Sequence, residues 1–112
     1  MSRPRYRWWG YAKNCIRDYP ALCAAAEERG KAGRKRARRE DERDRLAVKL
    51  AEEETLEKTD GEMRMEIIRM IYWRKSHNMQ GAALRCHVSY STARRWHGQF
   101  VRAVGRHLKL TK

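Results

Sequence analysis

Proline is scarce in this chain of 112 residues, which has only Pro4 and Pro20, and runs of β-branched residues are absent. Both absences favour helix, because proline breaks helices and β-branched residues prefer strands. The chain also has no apolar run long enough to cross a bilayer, and its basic start lacks the apolar stretch of a secretory signal. We therefore expect one small all-α, cytoplasmic domain that has no contact with a membrane.

Features typical of metal sites and enzymes are also missing. The cysteines are odd in number and form no Cys-x-x-Cys pair: Cys15, Cys23 and Cys86. The histidines stand ten residues apart, whereas two ligands on one helix need a spacing of three or four: His77, His87, His97 and His107. The chain contains no glycine-rich phosphate loop and no Ser, His and Asp set. We expect no metal, no cofactor and no enzymatic activity.

Acidic residues are missing from the C-terminal part of the chain. Overall there are 27 Lys and Arg against 14 Asp and Glu, a net charge of +13. Residues 1–39 carry 12 basic and 3 acidic groups, residues 40–66 carry 5 and 11, and residues 67–112 carry 10 and none. Soluble surfaces usually intersperse the two signs. The segregation predicts a polyanionic partner, and double-stranded DNA is the leading candidate.

Residues 1–39 are predicted to form a basic N-terminal helix followed by a hinge. One apolar helix face can be drawn, ended by Pro20: Trp8, Ala12, Cys15, Ile16 and Tyr19. Its aromatic residues either pack in the core, which we favour, or bind a partner protein. Gly30 and Gly33 indicate a hinge, and the run "RKRARR" at 34–39 either contacts phosphate or is only solvated.

Residues 40–60 are predicted to form a charged connecting helix, helical over 40–58. Leu46 and Leu50, together with Val48, supply a thin apolar stripe that would contact the core along one edge. Two ion pairs at a spacing of i, i+4 are expected on its exposed side: Asp41 with Arg45, and Glu54 with Lys58. Asp60 and Gly61 then mark a turn.

Residues 61–112 contain the segment with the strongest functional pattern, preceded by an amphipathic helix at 63–75. That helix offers a broad apolar face: Met63, Ile67, Met70, Ile71 and Trp73. In the following stretch, "HNMQGAALRCHVSYSTARRWHGQF" at 77–100, Asn78 is a good N-cap. The helix it starts has a buried stripe with two alanines, which permit close helix crossing: Met79, Ala82, Ala83 and Cys86.

A turn at His87 and Val88 is predicted to complete a helix-turn-helix. The backbone of the first turn position favours positive φ, which His87 tolerates moderately, while Val88 fills the gap between the helices. Ser89 is the expected N-cap of the second helix. A helical projection of that helix separates a core side from a basic strip. The core side is Ala93, Trp96, Phe100, Val104 and His107, and the strip is Ser91, Arg94, Arg95, Gly98 and Arg102.

The basic strip predicts contacts with DNA. Arg94 and Arg95 can bond bidentately to guanine in the major groove, and the hydroxyl groups at the helix N-terminus suit phosphate. Gly98 would allow the backbone to approach DNA closely. The predicted DNA-binding residues are Ser89, Tyr90, Ser91, Thr92, Arg94, Arg95, Gln99 and Arg102. The alternative is that the two arginines are merely solvated.

Three stretches together resemble a known family: "WWGYAKNCIRDYP", "IIRMIYW" and "GAALRCHVSYSTARRWHGQFVRAVGRHLKL". They look like the phage-encoded transcriptional regulators of the RinA and ArpU type, and the last is similar to the helix-turn-helix of sigma factor region 4. The resemblance covers residues 6–20 and 63–110. It implies an activator of phage late genes that acts in the bacterial host cell with host RNA polymerase as a second partner. The net negative middle segment and the aromatic N-terminal helix motivate a separate hypothesis, that these two segments contact polymerase or a second protomer.

Two other functional classes remain open. A small terminase subunit of a phage packaging motor also pairs a helix-turn-helix with helical oligomerisation segments. A more distant alternative is the DNA-binding part of a transposase or recombinase. We expect a regulator to be a monomer or homodimer, whereas a packaging subunit would form a ring of many copies.

Overall fold

The computed structural model describes residues 7–31 and 39–109, and in these two ranges the chain is helical without any strand. The helices follow in the order α1 Trp8–Lys31, α2 Arg39–Leu56, α3 Gly61–Ile68, a π-helical turn Arg69–Trp73, α4 Met79–Arg85 and α5 Tyr90–His107. The all-α prediction is therefore confirmed. Residues 32–38, which include Gly33 and most of the basic run at 34–39, lie outside the described residues.

Helix α1 does not end at Pro20, contrary to the prediction, and continues to Lys31 with Gly30 inside it. Proline lacks the N–H that would bond the carbonyl of Ile16 one turn earlier. The indole N–H of Trp73 donates to that carbonyl instead, at 2.7 Å. Because the carbonyl keeps a partner, the helix passes through the proline without a buried unsatisfied group.

Helix α2 buries a different face from the one predicted. Leu46 and Leu50 are 40% and 44% exposed, so the predicted stripe is wrong for both, although Val48 is fully buried. The buried face is made of small side chains: Ala47, Val48, Ala51 and Thr55. Small residues let α2 lie close to its neighbours, and the leucines are left on the outer side.

The ion pairs of α2 also differ from those predicted. Arg45 bonds Glu42, one turn earlier, rather than Asp41. Glu54 binds Arg106 and His107 at the end of α5 rather than Lys58, and its Oε2 lies 2.9 Å from His107 Nε2. The contact with α5 holds the pKa of Glu54 below its ordinary value against the opposing effect of burial. Glu54 thus connects α2 to α5, two helices that are far apart in the sequence.

A tight turn joins α2 to α3, as predicted from Asp60 and Gly61. Asp60 has φ 58°, in the left-handed region. Gly61 is buried, and a Cβ on it would lie 2.5 Å from the carbonyl oxygen of Thr55. Only glycine permits this close approach of α3 to the end of α2.

The predicted helix at 63–75 is α3 continued by the π-helical turn, in which Arg74 N bonds Arg69 O at 2.8 Å. Met63 is 38% exposed, so its predicted place in the core is wrong. Burial lies on two sides instead of one. One side faces the main core with Met65, Ile68 and Tyr72, and the other faces a second core with Ile67 and Met70.

Two apolar cores hold these helices together. The main core joins α1, α2 and α5 with α3, and its larger members are Ile16, Val48, Met65, Ile68, Tyr72, Phe100, Val101, Val104 and Leu108. The second core lies where α3 and the π-helical turn meet α4 and the start of α5: Ile67, Met70, Ala82, Ala83, Ala93 and Trp96. Helix α5 contributes to both cores along its length, so its orientation is set by the whole molecule.

Candidate nucleic-acid interface

The short helix α4 begins at the N-cap that the sequence indicated. The side-chain Oδ1 of Asn78 accepts a hydrogen bond from Gly81 N at 2.8 Å. Ala82 and Ala83 are buried in the second core, and Met79 and Cys86 pack against its edge. The predicted buried stripe is therefore confirmed for the two alanines, whereas Met79 and Cys86 are half-buried. Leu84 on the opposite side is 72% exposed.

The connection between α4 and α5 also has the predicted geometry. His87 has φ 58°, the positive value expected at the first turn position. Val88 packs against the second core, and its backbone N–H bonds the carbonyl of Ala83 at 3.0 Å. Ser89 caps α5, because its Oγ accepts a hydrogen bond from Thr92 N at 3.0 Å and donates to Thr92 Oγ1 at 2.8 Å. Ser89 and Thr92 thus stabilise the helix start together.

Helix α5 is amphipathic, with its buried face close to the predicted one. The buried residues are Ala93, Trp96, Phe100, Val101, Ala103, Val104 and Gly105. His107 was expected on the core side, but its side chain remains 27% exposed and pairs with Glu54. A face buried over this length leaves the helix little freedom to rotate.

The first two turns of α5 expose hydroxyl and guanidinium groups together. Tyr90 is 42% exposed, and Ser91 and Arg95 are exposed as well. Arg94 is half-buried, and its guanidinium lies 5.8 Å from the centre of the Tyr90 ring, within cation–π range. Four of the predicted DNA-binding residues therefore form one accessible surface, which we call the α5 N-terminal surface: Tyr90, Ser91, Arg94 and Arg95.

The other predicted contacts on α5 lie apart from this surface. Gln99 Oε1 accepts a hydrogen bond from Arg64 Nη1 at 2.8 Å, and Arg64 also lies over the Trp96 ring. Arg102 is exposed, but its guanidinium lies 5.7 Å from the centre of the Trp9 ring of α1. Both side chains are engaged within the chain.

Gly98 was expected to lie open to DNA within the basic strip, and the structure differs. It is half-buried, and a Cβ built on it would lie 3.5 Å from Arg102 Nη1 and 3.9 Å from the ring of Trp9. Helix α1 therefore borders the second half of the basic strip. The exposed part of the strip is confined to the first two turns of α5.

A stacked pair, the buried Tyr72 and the half-buried His97, fixes the middle of α5 next to the α5 N-terminal surface. Tyr72 Oη lies 2.6 Å from His97 Nε2, and the two rings stack at 5.6 Å with an angle of 3° between their planes. Burial, together with the nearby cations Lys13 and Arg94, lowers the pKa of His97 to about 4. Burial raises the pKa of Tyr72 to about 12, against the opposite effect of Arg17. Since both groups stay neutral near pH 7, the hydroxyl can donate to the imidazole.

Two cations of α1 belong to this region, and the sequence reasoning missed them. Lys13 and Arg94 both act electrostatically on His97, and Arg17 acts on the adjacent Tyr72. Arg17 is exposed and bonds Asn14 within its own helix at 2.9 Å. The i, i+4 spacing of Lys13 and Arg17 put them on one helix side, but only packing shows that this side lies beside α5.

The described part of the chain offers no cluster of three or more His, Cys, Asp or Glu side chains suited to hold a metal ion. The three cysteines, which all fall within it, are free thiols. None of the helices in residues 7–31 and 39–109 combines the length and apolar character needed to cross a bilayer.

Comparison of the chain with protein-family models, with curated proteins and with solved structures gives no match in any of the three.

Proposed function

We propose that this protein binds double-stranded DNA sequence-specifically, with α4, the turn at 86–89 and α5 acting as a sigma region 4-like helix-turn-helix. The observation that carries the proposal is the α5 N-terminal surface, which exposes arginine and hydroxyl groups on a helix otherwise held by two cores. This surface lies in a segment, 67–112, that contains no carboxylate to repel phosphate. An α-helix fits the major groove of B-DNA, where arginine reads guanine.

The contacts would divide into base reading and backbone anchoring. Arg95 is exposed, and Arg94 is steadied by the Tyr90 ring, so both guanidinium groups can reach base edges from the first two turns of α5. The hydroxyls of Tyr90 and Ser91, at the positive end of an 18-residue helix, suit phosphate oxygens.

Helix α1 would add anchoring on one flank of the DNA site. Lys13 and Arg17 lie near His97 and Tyr72, on the side of the molecule that also carries Arg94. Cations placed beside a reading helix bind the phosphates that flank the bases it contacts. Their loss should weaken binding to every DNA sequence alike, since phosphate contacts carry no base information.

A role in transcription follows from the family resemblance and is a further step of the proposal. The chain would act as an activator of phage late genes together with host RNA polymerase. The predicted contacts of Gln99 and Arg102 with DNA belong to this proposal as well, although both would have to exchange partners within the chain for phosphate or bases.

The test is selection from random DNA duplexes with the purified full-length chain at near-physiological salt, in parallel with Arg94→Ala/Arg95→Ala. We expect the wild-type chain to enrich a defined motif and the double variant to lose it. Arg94→Ala alone should cost about 1–3 kcal/mol on the selected site and relax preference at one base position.

The matched control removes two positive charges elsewhere. Lys49→Ala/Lys58→Ala changes net charge equally, on exposed residues of α2 and of the turn after it. This control should keep the motif. If no motif is enriched, or if Arg94→Ala weakens random DNA as much as the selected site, direct reading by α5 is wrong. Binding through net charge alone would then favour the packaging-subunit alternative.

A further inference from the structure

The outer side of α2 carries a regular stripe that neither core uses. Its residues repeat at alternating spacings of four and three, as in a coiled-coil seam, and all are exposed: Arg39, Arg43, Leu46, Leu50, Glu53 and, directly after the helix, Glu57. We call this set the α2 outer stripe. The buried residues Ala47, Val48 and Ala51 lie on another side of the helix.

Two copies of the α2 outer stripe match each other in charge and apolar character when they run in opposite directions. It begins with two arginines, has two leucines at its centre and ends with two glutamates. Consider a second α2 packed antiparallel against it, with the two-fold axis crossing the helix at the level of residue 48. Leu46 of one copy then faces Leu50 of the other. Arg43 then faces Glu53, and Arg39 faces Glu57. Each pairing occurs twice, as a two-fold symmetric interface requires.

The contacts within the chain leave this stripe able to pair. Arg43 donates from Nε and Nη2 to Asp44 and from Nη2 to Tyr11, which leaves its Nη1 outside these bonds and its side chain 47% exposed. The two leucines, at 40% and 44% exposure, are large apolar side chains one helical turn apart. Burying them against each other removes apolar surface from water.

The charge of the whole chain favours contact at the same place. Two copies with a net charge of +13 repel each other over most of their surfaces. Residues 40–66 carry 11 acidic and 5 basic groups, so α2 lies in the net negative segment of the sequence. If two copies approach each other through α2, the net negative segments of both chains lie between their positively charged remainders.

We propose that the occupant of the α2 outer stripe is a second copy of this chain, bound antiparallel through α2. The 18 residues of α2 span about 27 Å, which gives a contact at the small end of specific interfaces and hence a weak, concentration-dependent dimer. Glu54 ties α2 to Arg106 and His107, at the end of α5 remote from Arg94 and Arg95.

The experiment is sedimentation equilibrium of the full-length chain without DNA, from about 1 µM to 1 mM, so its outcome is independent of the proposed DNA binding. The wild-type chain should dimerise reversibly. Arg43→Glu and Glu53→Arg should each raise the dimer dissociation constant about ten-fold or more, because each places like charges opposite each other twice. Circular dichroism verifies that each variant stays helical.

Recombining the two changes makes the test specific. Arg43→Glu/Glu53→Arg in one chain should restore the dimer, and so should an equimolar mixture of the two single variants. Lys75→Glu, an equal charge change on an exposed residue outside α2, is the matched control and should leave the dissociation constant unchanged. A wild-type chain that stays monomeric, or a dimer that Lys75→Glu weakens as much as Arg43→Glu, would overturn the proposal. Failure of the recombined variants to restore pairing would do so too.

Discussion

At the scale of single residues, the helix around Pro20 depends on Trp73, which bonds the Ile16 carbonyl from 57 positions away in the sequence. Proline deprives the Ile16 carbonyl of its donor inside α1, and the Trp73 indole supplies one. The Trp73 ring also packs against Tyr19, with ring centres 5.5 Å apart and an angle of 34° between the planes. A residue that normally stops a helix is thereby kept within it by a side chain from a distant turn.

Trp73→Phe should lower the free energy of unfolding by about 1–3 kcal/mol, because it leaves a buried carbonyl without a donor while keeping an aromatic ring. The same substitution should cost about 1 kcal/mol less in a Pro20→Ala background, where the new backbone N–H can bond Ile16. Urea denaturation of the four chains in a double-mutant cycle measures this coupling. Equal costs in both backgrounds would show that the indole acts through packing alone.

His97 is the second residue whose chemistry depends on its surroundings. Its pKa is lowered to about 4 in the folded chain, from an ordinary 6.5, chiefly by burial and then by Lys13 and Arg94. The unfolded chain therefore binds a proton at His97 more readily than the folded chain does. Stability from this group is present above pH 6.5 and is lost as pH falls from 6.5 towards 4.

His97→Gln should remove this part of the pH dependence, since glutamine does not titrate and can still accept a hydrogen bond from Tyr72. Between pH 7 and pH 4.5, the wild-type chain should lose up to about 3 kcal/mol more unfolding free energy than the variant. Urea denaturation at the two pH values gives the difference, in which carboxylate titrations common to both chains cancel. Parallel pH profiles would mean that His97 titrates normally.

At the scale of elements, one glycine marks a close approach of two helices and another does not. Gly61 allows α3 to start against the backbone of α2, with a hypothetical Cβ at 2.5 Å from Thr55 O. Gly98 stands in the middle of α5 with only ordinary contacts at 3.5 and 3.9 Å. The same amino acid is thus required in one element and replaceable in another.

Gly61→Ala should destabilise the chain by about 1–3 kcal/mol, because a backbone oxygen cannot move aside as a flexible side chain can. Gly98→Ala should stabilise it by up to about 1 kcal/mol through helix propensity, and DNA affinity should not change. Thermal unfolding and a DNA-binding titration of both variants check this. Loss of DNA affinity in a well-folded Gly98→Ala chain would support a close approach of DNA at that position instead.

At the scale of the whole molecule, segments that differ in composition share the main core. The boundaries predicted from the sequence divide the chain into three segments. The boundary at 39 separates α1 from α2, and the boundary at 60 separates α2 from α3, α4 and α5. Ile16 of α1 and Val48 of α2 nevertheless pack in the main core with Phe100, Val101 and Val104 of α5. The charge segregation is a property of the surface, whereas burial is shared by all three segments.

A fragment of residues 61–112 should therefore not fold independently. Without α1 and α2, the second half of α5 would expose its main-core face, which a small second core cannot offset. Circular dichroism and amide hydrogen exchange of the fragment should show less helix per residue and weak protection, compared with the full chain. Cooperative unfolding of the fragment at the temperature of the full chain would show a separate domain.

The sequence alone determined the local features of the candidate site. The N-caps at Asn78 and Ser89, the positive φ at His87 and the buried face of α5 around Trp96 and Phe100 are as predicted. Each depends on residue type and on neighbours within one or two helical turns, so a linear sequence contains the information. The turn at Asp60 was predictable for the same reason.

Only the tertiary structure decided which partners distant residues meet. Leu46 and Leu50 match the helix period as well as Ala47 and Ala51 do, but close approach of α2 to its neighbours selects the small side chains for burial. The passage of α1 through its proline, the pairing of Glu54 with α5 and the covering of Gly98 by α1 likewise involve residues more than 30 positions apart. Periodicity shows which residues share a face, whereas packing determines what covers that face.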